Sequence, residues 1–323
     1  MVRESWVLHP GGLPMFVHPV FKRDIREIAG CASALYLYAS EHEIHRYGDS
    51  YIFKDAIKVI HDHGLRAIVS VGTGGRFSAM NPSTWHLSHP ETWVQPPALP
   101  EGSQLRLLPK EYCCVNNPAF IEYTRDYYRR LFDENKVDGI GFDEPREFPC
   151  LCTHCRDKHR REKGSDMSGL CDRAQLEFQA ESLAAYIKVI ADIAKERGAV
   201  TASVVYLQPS EEYFHRMLIR IPTLDYFGID PYWFEKPVEY VGEHTREART
   251  FCTGTNKLLW VVIQGFHMPA GTEHQIYEAG KIAADNGADV LCGFSHWRGT
   301  ENPEAAWDTT HRMLRDFGPK RNA

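Results

Sequence analysis

Val137-Asp138-Gly139-Ile140-Gly141-Phe142, closed by Asp143-Glu144-Pro145, is the stretch that decides the architecture. Its apolar run lacks strict alternation, as a strand buried on both faces of a parallel sheet requires. A helical pattern precedes it, from about Pro118 to Glu134, and another follows, from about Arg173 to Arg197. The same alternation extends in both directions. Upstream lie apolar runs at Trp6–His9, Ala34–Tyr38 and Ala67–Val71, with helical patterns near Val20–Gly30 and Tyr51–His63. Downstream lie Val200–Tyr206, Leu224–Ile229, Leu258–Gln264 and Asp289–Phe294, with helical patterns near Glu211–Leu218, Pro237–Phe251, Thr272–Asn286 and Pro303–Phe317. Eight strand–helix units with right-handed crossovers close into a (β/α)8 TIM barrel. A doubly wound open sheet is the runner-up, but no Gly-rich dinucleotide turn follows the first strand. Gly64, Gly198 and Gly287 stand just before strands, where glycines that end helices belong.

The chain has 323 residues and a formal net charge of -6, with a sequence pI of about 6.2. Hydrophobic residues at 43% and charged residues at 25% exclude a disordered or collagenous chain. No apolar run approaches the roughly 18 residues a membrane span needs. A mildly acidic chain has no electrostatic footprint for nucleic acid or anionic lipid. The first residues lack a basic segment followed by an apolar core, so no secretory signal is expected. Nine cysteines without such a signal point to reduced thiols and a cytoplasmic location.

Two connections are oversized: residues 72–117, rich in Pro, Trp, Ser and His, and residues 146–172, which carry cysteines. Both follow strand C-termini and belong to the barrel's catalytic face. Connections this long inside a compact domain usually carry function or small structures of their own. The expected organisation is a single (β/α)8 domain over residues 1–323, with 72–117 and 146–172 as loop insertions.

Polar residues at strand C-termini read as catalytic in this fold, because the loops there surround one cavity. They are His9; Tyr38 and Glu41; Asp143 and Glu144; Tyr206; Asp230, Tyr232 and Trp233; Gln264 and His267; and His296, Trp297 and Arg298. Carboxylates, aromatics and neutral hydrogen-bonding groups suit a polyhydroxylated substrate, and the basic cluster a phosphate needs is missing. Aromatics at 12% agree, since sugar clefts use flat amphipathic rings, although core packing uses them too.

Two acids directly after an apolar strand must pair, bind metal or move protons. A regular strand turns only one of Asp143 and Glu144 toward the cavity centre, whereas a turn at Pro145 admits both. Glu144 also has a bland role available, pairing with Arg146. Asp230 ends the sixth strand in Phe227-Gly228-Ile229-Asp230-Pro231, repeating the order apolar, Gly, apolar, Asp. Two acids on different strand ends are the minimum kit for glycoside hydrolysis, one at the anomeric carbon and one protonating the leaving oxygen.

The segments Cys114-Val115-Asn116-Asn117-Pro118, Val137 to Pro145, and Cys150-Leu151-Cys152-Thr153-His154-Cys155 together resemble a group of poorly characterised glycoside hydrolases with barrel folds. The match covers residues 113–160, and the eight-strand layout extends it loosely over the chain. The resemblance implies a glycosidase acting on a sugar. Asp143 is placed like the fourth-strand aspartate nucleophile of alpha-galactosidase-like barrels, and Asp230 like their sixth-strand acid/base. The adjacent Asp143-Glu144 is also similar to the pair in beta-hexosaminidases. Gln264 departs from retaining barrels that carry a seventh-strand glutamate.

Three thiols within six residues, Cys150, Cys152 and Cys155, suit a soft metal such as zinc in a structural role. Cys171 is the fourth ligand expected, with Cys113, Cys114, His154 and His159 as alternatives. Cys31, Cys252 and Cys292 read as small buried hydrophobes. His9, His267 and His296 lack metalloprotease spacing, so no catalytic metal is expected. The run Arg156 to Lys163 reads as a solvated helix face.

The expectation is therefore a cytoplasmic glycoside hydrolase working on a small oligosaccharide or glycoside. Asp143 is its nucleophile or charge stabiliser, and Asp230 or Glu144 its acid/base. Structural zinc is its metal, no organic cofactor is needed, and neither nucleic acid nor membrane is a partner. Homo-oligomerisation is left open. A non-catalytic sugar-binding barrel and a carbohydrate lyase or isomerase are the rival readings.

Overall fold

The computed structural model describes residues 1–9, 19–39, 44, 52–71, 84–97, 112–146, 148–167, 172–208, 211–294 and 300–319. Eight strands form one closed barrel in sequence order. They are β1 (Glu4–His9), β2 (Ala34–Tyr38), β3 (Arg66–Ser70), β4 (Gly139–Asp143), β5 (Val200–Val205), β6 (Tyr226–Ile229), β7 (Leu258–Gln264) and β8 (Val290–Phe294). Every neighbouring pair is parallel, and β8 closes on β1. This is the (β/α)8 barrel that the alternation predicts. No helix among the described residues is long and apolar enough to cross a membrane.

The helices stop where their sequences say they must. The helix Pro118–Asn135 starts with Pro at its first turn, and the Asn117 side chain accepts from Ala119 N at 3.0 Å. Asp172 caps Arg173–Glu196 by accepting from Gln175 N at 2.8 Å. Gly64 and Gly198 leave their helices at φ of +71° and +70°, the left-handed conformation glycine adopts without strain. The basic run forms the helix Thr153–Lys163, whose one buried residue is Cys155.

Strand parity splits the core in two. Val7, Leu35, Ile140, Phe142, Phe227 and Val261 pack outward under the helices. Trp6, Leu8, Tyr36, Tyr38, Val204, Tyr226, Trp260 and Val262 fill the barrel. At the N-terminal end Glu4 accepts from Trp6 Nε1 at 2.8 Å and from the Tyr226 hydroxyl at 2.9 Å, and pairs with Arg66. This carboxylate is fully partnered, as a stabilising plug should be.

Above the plug lies an aromatic layer. Ring centroids are 5.1 Å apart for Trp6–Trp260, 5.3 Å for Tyr36–Trp260 and 4.7 Å for Trp6–Tyr226. Two glycines make room for it. A Cβ at Gly141 would lie 2.2 Å from the Tyr36 ring, and one at Gly228 would lie 2.0 Å from Trp260 Nε1. The repeated order Gly, apolar, Asp thus has a packing reason: the glycine seats a ring, and the aspartate two residues on stands above it.

Candidate active site

Asp143 and Asp230 stand over this layer at the C-terminal ends of the barrel. Gly139, Gly141 and Asp143 share the inward face of β4, and Gly228 and Asp230 that of β6. Both acids are buried, at 6% and 3% exposure. The chain turns at Glu144 itself, one residue before the turn the sequence suggests. Glu144 has φ of +39°, a region non-glycine residues rarely adopt. Its N–H still donates to Val204 O at 2.9 Å, so the ladder continues while the side chain changes direction. Both neighbouring acids thereby reach the same mouth. Burial, the charges of Glu144 and Asp143, and a hydrogen bond with Glu144 push the Asp230 carboxyl well above the usual carboxylate range. One Asp230 oxygen, Oδ1, is buried with no hydrogen-bond partner among the described residues. Glu144 in turn accepts from Arg146 at 2.7 Å, so the pairing anticipated from sequence exists alongside the cluster.

Aromatic hydroxyls complete the cluster. Burial first, then the charge of Asp143, raises Tyr38 well above its ordinary value, and its hydroxyl hydrogen-bonds Asp143. Burial, then the charges of Asp230, Asp143 and Glu144, raises Tyr232 likewise. Tyr206 stands further out, its hydroxyl 3.3 Å from that of Tyr240.

Other residues named from sequence take different places. His9 faces away from the lumen because Trp6 and Leu8 face into it. It packs edge-on to Phe21 at 5.6 Å, and burial lowers it to about 4. Trp233 is 2% exposed in the outer core, where its indole N–H donates to Gln275 at 3.1 Å. Neither side chain belongs to the set that fills the barrel lumen. Gln264 braces loops: its Oε1 accepts from Trp233 N at 2.9 Å and Phe234 N at 3.4 Å, and its Nε2 donates to Phe266 O at 2.9 Å. His267 is exposed, at φ of +52°. Glu41, His296, Trp297, Arg298 and Cys171 lie outside the described residues.

The sequence reading missed an aromatic rim. Tyr232 lies 4.9 Å from Phe266 and 5.9 Å from Phe234, and Phe266 lies 5.0 Å from Phe294. These phenylalanines stand at or just past the ends of β6, β7 and β8, so position alone was a signal.

Four cysteines converge where the connection after β4 meets the segment before the helix Pro118–Asn135. The sulfurs of Cys114, Cys150, Cys152 and Cys155 all lie within 4.8 Å of one another. Cys114 Sγ is 3.4 Å from Cys155 Sγ and 3.5 Å from Cys152 Sγ. Tetrahedral sulfurs about 2.3 Å from one zinc ion would be about 3.8 Å apart, so the four fit a single metal ion. Within the described residues Cys114 completes the set. Cys113 instead contacts Thr92 at 3.3 Å and His86 at 3.5 Å, His154 is exposed, and His159 bonds Ser165 O at 2.7 Å. Donors already point at the sulfurs: Gln95 N to Cys150 at 3.3 Å, Asn116 N to Cys114 at 3.4 Å, and Asn116 Nδ2 to Cys155 at 3.2 Å. Lys158 holds Asn116 Oδ1 at 3.0 Å, which brings a positive charge toward the thiols. Hydrogen bonding to Cys114 pulls Cys150 far below the ordinary thiol range, and the reciprocal bond pushes Cys114 well above it.

No protein-family model matches the sequence, and no curated protein matches it. Solved structures do resemble it. A β-galactosidase from Bacillus circulans sp. alkalophilus superposes with a TM-score of 0.70 at 12% identity, over 98% of this chain and 56% of that one. The likeness is one of fold. The catalytic domain of a β-amylase from Paenibacillus polymyxa gives 0.68 at 11% identity, over 99% of this chain and all of the other. An α-L-fucosidase isoenzyme 2 from Paenibacillus thiaminolyticus gives 0.60 at 15%, over 97% and 48%. The chain spans about half the length of the galactosidase and the fucosidase.

Proposed function

We propose that the protein is a glycoside hydrolase acting on a small glycoside at the mouth formed by Asp143, Glu144 and Asp230. The observation that carries this reading is the acid cluster. One carboxyl, Asp230, is pushed toward its protonated form beside two further carboxyl groups, and environments that separate neighbouring carboxyls in this way assign acid and base roles. Asp230 gives its proton to the glycosidic oxygen as the C–O bond breaks. Asp143 faces the anomeric carbon and stabilises or captures the developing positive charge. Glu144, with Arg146 as counter-charge, takes a proton from the water that completes hydrolysis. Gln264 is committed to backbone bonds, so no seventh-strand carboxylate enters the reaction. The fold likeness to barrels that include a β-galactosidase and a β-amylase supports a carbohydrate substrate.

The same proposal assigns zinc to the four cysteines. A closed set of four thiolates leaves no open position, so the ion is structural. It ties residues 148–155 to the Cys114 segment, and Cys150 follows Glu144 by only six residues.

The test is a screen of aryl glycosides of varied sugar and anomeric configuration, with metal analysis of the same sample. At least one glycoside should release its aglycone, and Asp143→Asn should abolish that turnover without loss of fold. Near-normal turnover in Asp143→Asn removes it from the mechanism. Binding without product would favour a sugar-binding barrel.

A further inference from the structure

The outer face of the helix Pro118–Asn135 carries a groove that neither the barrel mouth nor the thiol cluster uses. It has a volume of about 580 Å³, and Trp85, Glu122, Tyr123, Asp126, Arg129 and Arg130 line it. Trp85 is held between two rings, stacking on His89 at 4.1 Å and 14° and on Tyr123 at 4.1 Å and 7°. Both of its faces are covered, so a sugar or base that binds by stacking finds no free indole face there. The four charged side chains are exposed. Asp126 and Arg129 lie 4.0 Å apart, while no ion pair engages Glu122 or Arg130 among the described residues. The next acid on this face, Asp133, is held by Arg197 at 3.0 Å and takes no part.

The order of these charges says what fits. The acids stand in the N-terminal part of the groove and the arginines in the C-terminal part. A helix macrodipole favours that order only within the first and last turns, and none of the four lies there. Glu122 and Arg130 are two turns apart, about 12 Å along the axis, and do not pair within the chain. A surface that holds the two charges of a pair at opposite ends is complementary to itself turned by half a revolution, as a two-fold interface requires. Two copies of this helix packed antiparallel about an axis at Asp126 set Glu122 against the partner's Arg130 and Tyr123 against the partner's Arg129. Each contact is made twice. Asp126 meets its own copy at the axis, where an Arg129 at 4.0 Å offsets each of the like charges. Tryptophan, tyrosine and arginine are also the residue types enriched where protein surfaces bind, and lysine, depleted there, is missing from the lining.

We infer that this groove is the interface of a homodimer, in which the helix Pro118–Asn135 of one subunit packs antiparallel on that of the other. The test is sedimentation velocity over a range of protein concentrations on the wild type, Glu122→Arg, Arg130→Glu and the variant carrying both changes. Both substitutions fall on exposed side chains, so the fold is kept, and circular dichroism checks it. An exposed ion pair is worth a factor of about 1.4–5 in affinity. The pair occurs twice, and reversal turns attraction into repulsion, so each single variant should dimerise more weakly than the wild type by about tenfold or more. The doubly changed variant should regain wild-type dimerisation. A mixture of the two single variants should regain it as well, because the arginines of one then face the glutamates of the other, a rescue that only contact between copies produces. A wild type that stays monomeric at every concentration overturns the proposal. A dimer that neither single variant weakens, or that the mixture fails to restore, overturns it too.

Discussion

Gly228→Ala probes the link between the aromatic layer and the acids. The added Cβ would sit 2.0 Å from Trp260 Nε1 and 2.2 Å from Trp260 Cε2. Ordinary contact needs about 3.5 Å, so the indole must retreat by about 1.5 Å. That breaks the bond from Trp260 Nε1 to Ser203 O at 3.1 Å and disturbs its tilted contact with the Tyr36 ring. Overpacking costs about 1–3 kcal/mol, and a lost buried hydrogen bond about 1 kcal/mol or more. The sum is about 2–4 kcal/mol. With an unfolding entropy of roughly 2.1 cal/mol/K per residue, a chain of 323 residues has about 0.7 kcal/mol/K. Tm should fall by roughly 3–6 °C. Because the displaced indole underlies Asp230, turnover should fall further than stability requires. Gly139→Ala is the control: its Cβ would meet Val200 at 2.6 Å, at the far end of β4. The assay is thermal unfolding beside kcat for all three proteins below their melting ranges. Two results would refute the reasoning: an unshifted Tm in Gly228→Ala, or a loss of kcat no greater than in Gly139→Ala.

Further expectations follow from the acid cluster and the thiols. Asp230→Asn should reduce kcat by roughly 10²–10⁴-fold if Asp230 is the general acid. It should also change stability in a pH-dependent way. A raised folded-state pKa in an acid means the native state holds the proton more tightly, so wild-type stability falls as pH rises from about 4 through the folded-state value. The Asn variant lacks that slope, and its Tm relative to wild type should be higher at pH 8 than at pH 4. Glu144→Gln removes a charge and a hydrogen bond that raise Asp230, so the alkaline limb of the pH–rate profile should move to lower pH; an unmoved limb separates the two groups. Cys150→Ser should lower zinc from about one ion per chain toward background and reduce Tm, while Lys158→Met should keep the ion but hasten its loss to a chelator by about tenfold or more.

The barrel was legible because its signal is redundant: apolar runs, helical periods and glycines before strands all agree. Strand ends such as Val71, Leu224 and Asp289 shifted by a residue or two, since hydrogen bonding, not hydropathy, sets them. The acids were legible as types, yet their convergence depended on the turn at Glu144, which no propensity marks. His9 shows a signal within reach, because alternation from Trp6 and Leu8 already turns it outward. Trp233 lies beyond the strand, where parity no longer holds, and only the Gln264 and Gln275 contacts fix it. Cys114 was one of several alternatives because the partner of Cys150, Cys152 and Cys155 lies 36 residues before Cys150, across a helix and a strand.

The rings of Trp6, Tyr36 and Trp260 fill the lumen between the acids and the Glu4 plug. On the proposed reading, the proton that Asp230 gives to a leaving group is returned by Glu144, its hydrogen-bonded neighbour, once Glu144 has taken one from water. Recharging of Asp230 would then happen at the mouth through which the first product leaves, and a product that lingers there would slow both.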